Sequence, residues 1–357
     1  MSKPIPDTTA TARALPNESG LPGGTAAGPK WRDLPDFIIG ITREIWEGRG
    51  IDSLADTYAT DVVVRSPMGI QCGNRAVMAA TLATLAEFPD RRLLAEDVIW
   101  SDDREHGALS SHRLITTGTH LGDGGFGTAT RRAFKVRTIA DCAVREGRIY
   151  DEWLVRDTGG IARQLGLNPR DHARRLIERE GGAAHCPRPF HPTEDVDGGY
   201  HGRGNDDPWG ARYADTLRSL MAMALRRIPL DYDRAVLTEY PGALSGVSHD
   251  AVDRFWLGLR AAFPDAEFEI QHQIGMSTGP LPPRAAIRWS LTGTHAGAGL
   301  FGPASAAPVH IMGIAHAEYG PFVSAGSNAP ASIRRETVLF DEIAIWKQIL
   351  MHTGASA

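Results

Sequence analysis

Cysteine, long apolar runs and an excess of basic charge are all scarce in this chain. Three cysteines in 357 residues, Cys72, Cys142 and Cys186, are far apart and odd in number, so neither a disulfide framework nor a CxxC metal pair is suggested. A reducing, cytoplasmic setting is expected. No stretch reaches the roughly 18 apolar residues that a membrane helix needs, so no membrane is expected as a partner. Residues 1–30 are rich in Thr, Ala, Pro and Gly without the apolar centre of a secretory signal, and read as a disordered arm. A formal net charge of −5 disfavours nucleic acid as a partner. At 42% hydrophobic and 23% charged, the chain reads as an ordinary globular protein, and its length favours two cores over one.

The sequence repeats itself. Gly118-Thr119-His120 recurs as Gly293-Thr294-His295 and Phe88-Pro89-Asp90 as Phe263-Pro264-Asp265, both at a spacing of 175 (293 − 118 and 263 − 88). A solenoid unit is roughly 20 to 50 residues, so this period is the length of a domain plus a linker. The first copy opens with the helical stripe Leu34, Phe37, Ile38, Ile41 and Ile45, with Asp33 placed to cap it and Pro35 in the first turn. Ile51, Leu54, Ala55 and Tyr58 mark a second short helix, residues 61–66 a strand, and Val77, Thr81, Leu85 and Phe88 a third helix. Strand patterns then fill about 91–100, 109–120, 133–145 and 148–157.

The second copy retraces this order from Tyr213 to Gln348. Its last strand sits at an offset of 184 (341 − 157), which implies about nine extra residues near Gly320 to Ala329. Helices first and a meander of strands after them is the signature of an α+β fold. The boundaries read as an arm at 1–30, a first domain at 31–180, a Gly-, Pro-, His- and Asp-rich linker at 181–212 and a second domain at 213–357. His185, Cys186, His191 and His201 in the linker match no zinc spacing, so it reads as a solvated connector.

The Phe88-Pro89-Asp90 turn, the Thr117-Gly118-Thr119-His120 strand end and the segment Gly147 to Asp157 followed by Gln164-Leu165-Gly166 resemble the SnoaL-like polyketide cyclase family. That family lies in the nuclear transport factor 2-like (NTF2-like) superfamily, with ketosteroid isomerase and limonene epoxide hydrolase. The likeness covers residues 34–167 and, more weakly, 213–349. It implies two tandem cones, each a curved antiparallel sheet packed on about three helices, with a small apolar ligand inside. It also implies no metal and no organic cofactor, and an intramolecular aldol closure in which an acidic side chain of the cone serves as acid and base. Fold alone does not decide function.

Strict alternation in the last strand puts Ile149, Asp151, Trp153, Val155 and Asp157 on one largely apolar face. An aspartate set there loses solvation and gains a pKa nearer neutrality, which makes Asp151 the leading candidate for proton transfer. Its alternative role is an ion pair at the cone mouth with Arg137 or Arg148. In the second copy the equivalents of Asp151 and Trp153 are Arg335 and Thr337, whereas Glu152 and Asp157 persist as Glu336 and Asp341. Persistence in both copies is read as architecture, with Asp157 capping the helix that holds Ile161 and Leu165.

His112 shares a face with Leu114 and Thr116, and reads either as a donor to an enolate oxygen or as a core histidine. Asp97 falls on an apolar stripe, as a ligand contact or a buried pair. Trp46, Tyr58, Trp100 and Trp153 either line a pocket for a flat molecule or form plain core. The expected function is cofactor-free aldol-type cyclisation or isomerisation of a small polyketide-like carbonyl compound, a lyase or isomerase activity with Asp151 and His112 as the catalytic pair. The alternative is a non-catalytic module for a small hydrophobic ligand or a protein. The two sheets are expected to pack together as an intramolecular pseudo-dimer, open to further homo-oligomerisation, with the second pocket degenerate.

Overall fold

The structure is a computed structural model and describes residues 28, 30–103, 105–278, 280–320 and 331–354. Nearly all of the amino-terminal arm, and the insertion expected near 320–329, lie outside the described residues. Helix α1 (Leu34–Trp46) forms as its stripe requires. Asp33 accepts the backbone N–H of Asp36 at 2.8 Å, Pro35 sits in the first turn, and Leu34, Phe37, Ile38, Ile41 and Ile45 are buried. Each such side chain contributes about 2 kcal/mol by leaving water. A short α2 (Leu54–Thr57) follows; the expected helix through Tyr58 stops one residue earlier, because Tyr58 opens strand β1 (Tyr58–Ser66).

Strand β2 (Gly69–Cys72) and helix α3 (Asn74–Glu87) come next, then strands β3 (Arg92–Asp103), β4 (Gly107–Thr119), β5 (Ala133–Arg145) and β6 (Arg148–Arg156). The sheet order is β2-β1-β6-β5-β4-β3, with β6 parallel to β1 and the other pairs antiparallel. Helices α1 and α3 close its concave side. Beyond β6, α4 (Thr158–Gln164) is capped by Asp157, which accepts from Gly160 N at 2.9 Å, and α5 (Pro169–Arg179) follows.

A second sheet has the same order, β8-β7-β12-β11-β10-β9. Its elements are α6 (Pro208–Met221), α7 (Ile228–Asp231), β7 (Tyr232–Tyr240), β8 (Leu244–Val247), α8 (His249–Ala262), β9 (Glu267–Met276), β10 (Arg284–Thr294), β11 (Pro308–Gly320), β12 (Ser332–Phe340) and α9 (Glu342–Thr353). The offsets are 175 at α3 and α8 (249 − 74), 174 at β1 and β7 (232 − 58) and 184 at β6 and β12 (332 − 148). Among the described residues no helix is long and apolar enough to cross a membrane.

The convex faces of the two sheets meet. Ile99, Ile139 and Val155 of the first share one apolar cluster with Ile274, Ile314 and Leu339 of the second. Charges are buried in the same seam: Arg288 pairs with Asp141 at 2.9 Å, Arg284 pairs with Asp97, and Ser111 meets His316 at 2.7 Å. Such pairs add little net stability but fix how the sheets sit, because each is costly to break on one side only.

The connector is only partly solvated. Cys186, Phe190 and Tyr200 are buried, and the last two join the seam between the sheets. Its end is also earlier than expected, since α6 begins at Pro208. The segment around Gly198 passes so close behind Asp151 that an added Cβ would overlap the carboxylate. Gly198→Ala is therefore expected to cost about 1–3 kcal/mol by overpacking, read as a lower denaturant midpoint. No loss there would mean that the connector yields.

Candidate active site

A cavity of ≈ 90 Å³ lies between α1, α3 and the concave face of the first sheet. Its walls are apolar, with Ile38, Ile41, Ile45, Leu54, Val64 and Leu114 among them, and Thr42, Gln71 and Thr84 stand on the more exposed side. A hole of about 150 Å³ accepts benzene. The cavity as it stands therefore suits a short chain or small ring better than a polycyclic polyketide.

Besides threonines and Gln71, the wall carries Glu152 and Arg156 from β6, Tyr58 from the start of β1, and His112 from β4. Burial pushes the Glu152 carboxyl up to about 7, while the hydrogen bond from Tyr58 and the charge of Arg156 pull it down. The Tyr58 hydroxyl donates to Glu152 Oε2 at 3.0 Å, and burial together with Glu152 raises its own pKa well above the ordinary value, so it stays a donor. His112 is 2% exposed, burial lowers it to about 3, and its Nε2 has no hydrogen-bond partner among the described residues. It is a neutral imidazole at physiological pH. Burial raises the Cys142 thiol well above its usual range, which disfavours a thiolate nucleophile.

The acid in the cavity is thus Glu152, whereas alternation had pointed to Asp151. The reason is a β-bulge. Val144 pairs with Ile149 and Ala143 with Asp151, so Tyr150 is an extra residue that resets the parity of β6. Ile149 faces the cavity, and beyond the bulge Glu152, Leu154 and Arg156 do so, leaving Asp151, Trp153 and Val155 on the convex side. The strand β12 carries the same device: Tyr319 pairs with Ile333 and Glu318 with Arg335.

Asp151 is 1% exposed at the seam, paired with Arg65 Nη1 and accepting from Tyr200 N at 3.2 Å. Neither cation expected for it, Arg137 or Arg148, is its partner: Arg137 binds Glu96 at 2.9 Å and Glu239 at 2.8 Å. The Trp153 ring lies between the guanidinium groups of Arg65 at 4.7 Å and Arg288 at 3.6 Å, away from the cavity. Asp97 pairs with Arg284 across the seam, because a register shift between Ala95 and Asp97 turns β3 over. Trp46 and Tyr58 do line the cavity; Trp100 packs on the surrounding core but is not part of its wall. His120 and His295 end equivalent strands, their Nδ1 atoms meeting Thr130 at 3.2 Å and Ser305 at 2.8 Å.

The second unit has a glutamate at the equivalent place in its sheet and, among the described residues, no comparable space around it. Glu336 is 0% exposed, and its carboxylate accepts the hydroxyls of Tyr213 at 2.9 Å, Tyr232 at 2.6 Å and Tyr240 at 2.6 Å. Thr81 and Leu114 of the first cavity correspond to Trp256 and Trp289, both fully buried, and Arg156 corresponds to Phe340. Larger side chains at the same positions occupy what the first unit leaves open.

Removal of the Tyr58 hydroxyl tests how the site sets its acid. Tyr58→Phe takes away a hydrogen bond that favours the ionised carboxylate, so the Glu152 pKa is expected to rise by about one unit. Carbon-13 NMR titration of the Glu152 carboxyl reads this directly; an unmoved or lowered pKa would show that the hydroxyl does not act on it.

Residues 38–165 match the family model of the SnoaL-like polyketide cyclases, close to the 34–167 span of the motif resemblance. No curated protein matches the chain. Among solved structures, wild-type IdmH of Streptomyces antibioticus, described as a proposed polyketide cyclase, is 24% identical over 37% of this chain and 98% of that one, with a TM-score of 0.33. TsrD of Streptomyces laurentii is 20% identical over 37% of this chain and 93% of its own, at 0.33. A SnoaL-like polyketide cyclase of Agrobacterium tumefaciens is 20% identical over 40% and 98%, at 0.30. The family match ends with the first sheet and its α4; the second unit lies outside it.

Proposed function

We propose that the first unit is a cofactor-free proton-transfer catalyst acting on a small apolar carbonyl compound, in the manner of a cyclase or isomerase. Glu152 takes the proton α to the carbonyl and returns it, or passes it to a new position. Tyr58 orients the carboxylate, and the neutral His112 donates to the developing enolate oxygen. The observation that carries this reading is a lone carboxyl group at the wall of an apolar cavity, with its pKa raised to about 7.

The two units read as copies of one NTF2-like cone, at about 31–180 and from Pro208 onward, packed as a pseudo-dimer within one chain. The common strand order and offsets close to 175 before the last strand support this. A second reading, a non-catalytic ligand-binding module, draws on Glu336: the same glutamate, held by tyrosines, serves there without a cavity.

The test needs no knowledge of the natural substrate. The full chain is incubated with 2-pentanone or cyclopentanone in D2O, and α-deuteration is followed by NMR. Acceleration by the wild type, reduced by about 10²–10⁴-fold in Glu152→Gln, is expected. Undiminished exchange in Glu152→Gln removes the assignment, and binding without exchange by the wild type favours the module.

A further inference from the structure

The cavity holds a second charge that proton transfer leaves unused. Arg156 ends β6 opposite Thr138 and lines the cavity. Arg156 is half-buried, and among the described residues its guanidinium forms no hydrogen bond or ion pair. Burial lowers its pKa, and the charges that act on it from a distance are Glu152, Asp341 and Tyr58. Behind the cavity wall, Arg91 is 4% exposed, lies 5.2 Å from the centre of the Trp46 ring and has no partner for its Nε among the described residues. Burial, with Arg156 nearby, brings Arg91 down to about 9, and Glu87 is the charge that opposes this. Glu87 is itself held by the Phe126 N–H at 2.7 Å and sits 3.3 Å from His120 Nε2.

Arg156 thus shares the cavity with a single carboxyl, Glu152, while Arg91 stands behind the wall, and burial keeps that carboxyl protonated up to about pH 7. The other titratable groups on the wall, His112, Cys142 and Tyr58, are neutral there. An unpaired cation in an apolar hollow is costly to retain unless something of opposite charge is bound. The second unit shows the complement: where the space is filled by Trp256 and Trp289, the position of Arg156 is Phe340, and the cation is gone.

We infer that the cavity takes a short apolar carboxylate, its carboxyl end paired with the Arg156 guanidinium and its chain among the isoleucines of α1. The planar fork of arginine matches a carboxylate with two parallel hydrogen bonds. The modest volume favours a monoanion on a short chain or one small ring. This rests on the same cavity as the proposed catalyst, but not on Glu152 moving a proton. It adds a coupling: ionised Glu152 is the competing anion for Arg156, so affinity falls as pH rises through about 7.

Isothermal titration of the full chain with hexanoate and benzoate, each against its neutral amide, tests the assignment. At pH 6 the acids should bind at least tenfold more tightly than the amides, and the preference should shrink at pH 8. Arg156→Met should abolish it, and Arg156→Lys should retain part of it. Glu152→Gln should keep the preference at both pH values even though α-proton exchange is lost. Equal affinity for acid and amide in the wild type, no binding of either at millimolar concentration, or a preference that survives Arg156→Met would overturn the inference. Unchanged exchange in Glu152→Gln with the preference intact would remove only the catalytic reading.

Discussion

Glu152→Gln is expected to stabilise the fold by about 3 kcal/mol at pH 8 and by about 1 kcal/mol or less at pH 5, while abolishing proton transfer. The carboxyl moves from an ordinary 4.5 to about 7 because it is buried. A folded-state pKa above the unfolded one means that the folded chain holds the proton more tightly. As pH rises from about 4.5 to 7 the unfolded chain loses its proton while the folded chain still keeps one, so wild-type stability falls through that window and reaches its full deficit above pH 7. Glutamine resembles the protonated acid and escapes this cost. Asp157, raised to about 6, and Asp341, raised to about 7, both mainly by burial, add slopes of the same sign that the variant retains. Urea unfolding of both proteins at pH 5 and pH 8 isolates the Glu152 contribution as the difference between them. A gap that does not widen with pH would mean that the carboxyl is not strained in the fold, and with it would go its fitness as a proton carrier near neutrality. Gain of stability with loss of turnover is the mark of a group kept for chemistry at the expense of the fold.

The sequence shows its long elements plainly and hides the turn that matters. The stripe from Leu34 to Ile45 is legible because it buries one face, and β4 to β6 because β-rich runs between turn residues mark strands even where both faces are buried. The bulge at Tyr150 is not legible, since no glycine marks it and its cause is pairing with β5 and β1, both distant in sequence. One signal did point to it. Ile149 and Glu152 persist as Ile333 and Glu336, a pattern that fits a single cavity-facing surface only if one residue is skipped. Reading persistence as scaffold alone led away from Glu152. The connector misled for another reason: its average composition is polar, but two aromatic anchors, Phe190 and Tyr200, are enough to draw it into the seam. The four-residue β2 carries too few buried positions to be seen.

Asp151→Ala is expected to cost about 3 kcal/mol, whereas Asp151→Asn should cost less and should leave proton exchange within a few-fold of the wild type. The asymmetry follows from what surrounds the carboxylate. Arg65 is 3% exposed and directs Nη1 to Asp151, Nε to Asp195 at 2.5 Å and Nη2 to the Val196 carbonyl, so alanine strands a buried guanidinium with part of its shell gone. Asparagine retains an oxygen for Arg65 and for the Tyr200 N–H. The seam also reaches farther than this pair, because the Tyr200 hydroxyl meets His272 Nε2 at 2.9 Å on the second sheet. Loss of Asp151 should therefore lower the denaturant midpoint of the whole chain rather than of the first unit alone. The charge of Asp151 raises the pKa of its neighbour Glu152, so the asparagine variant should shift the exchange profile toward lower pH while keeping its height. Collapse of exchange in a folded Asp151→Asn protein would return the acid to the convex face of the sheet and leave the cavity without its catalyst.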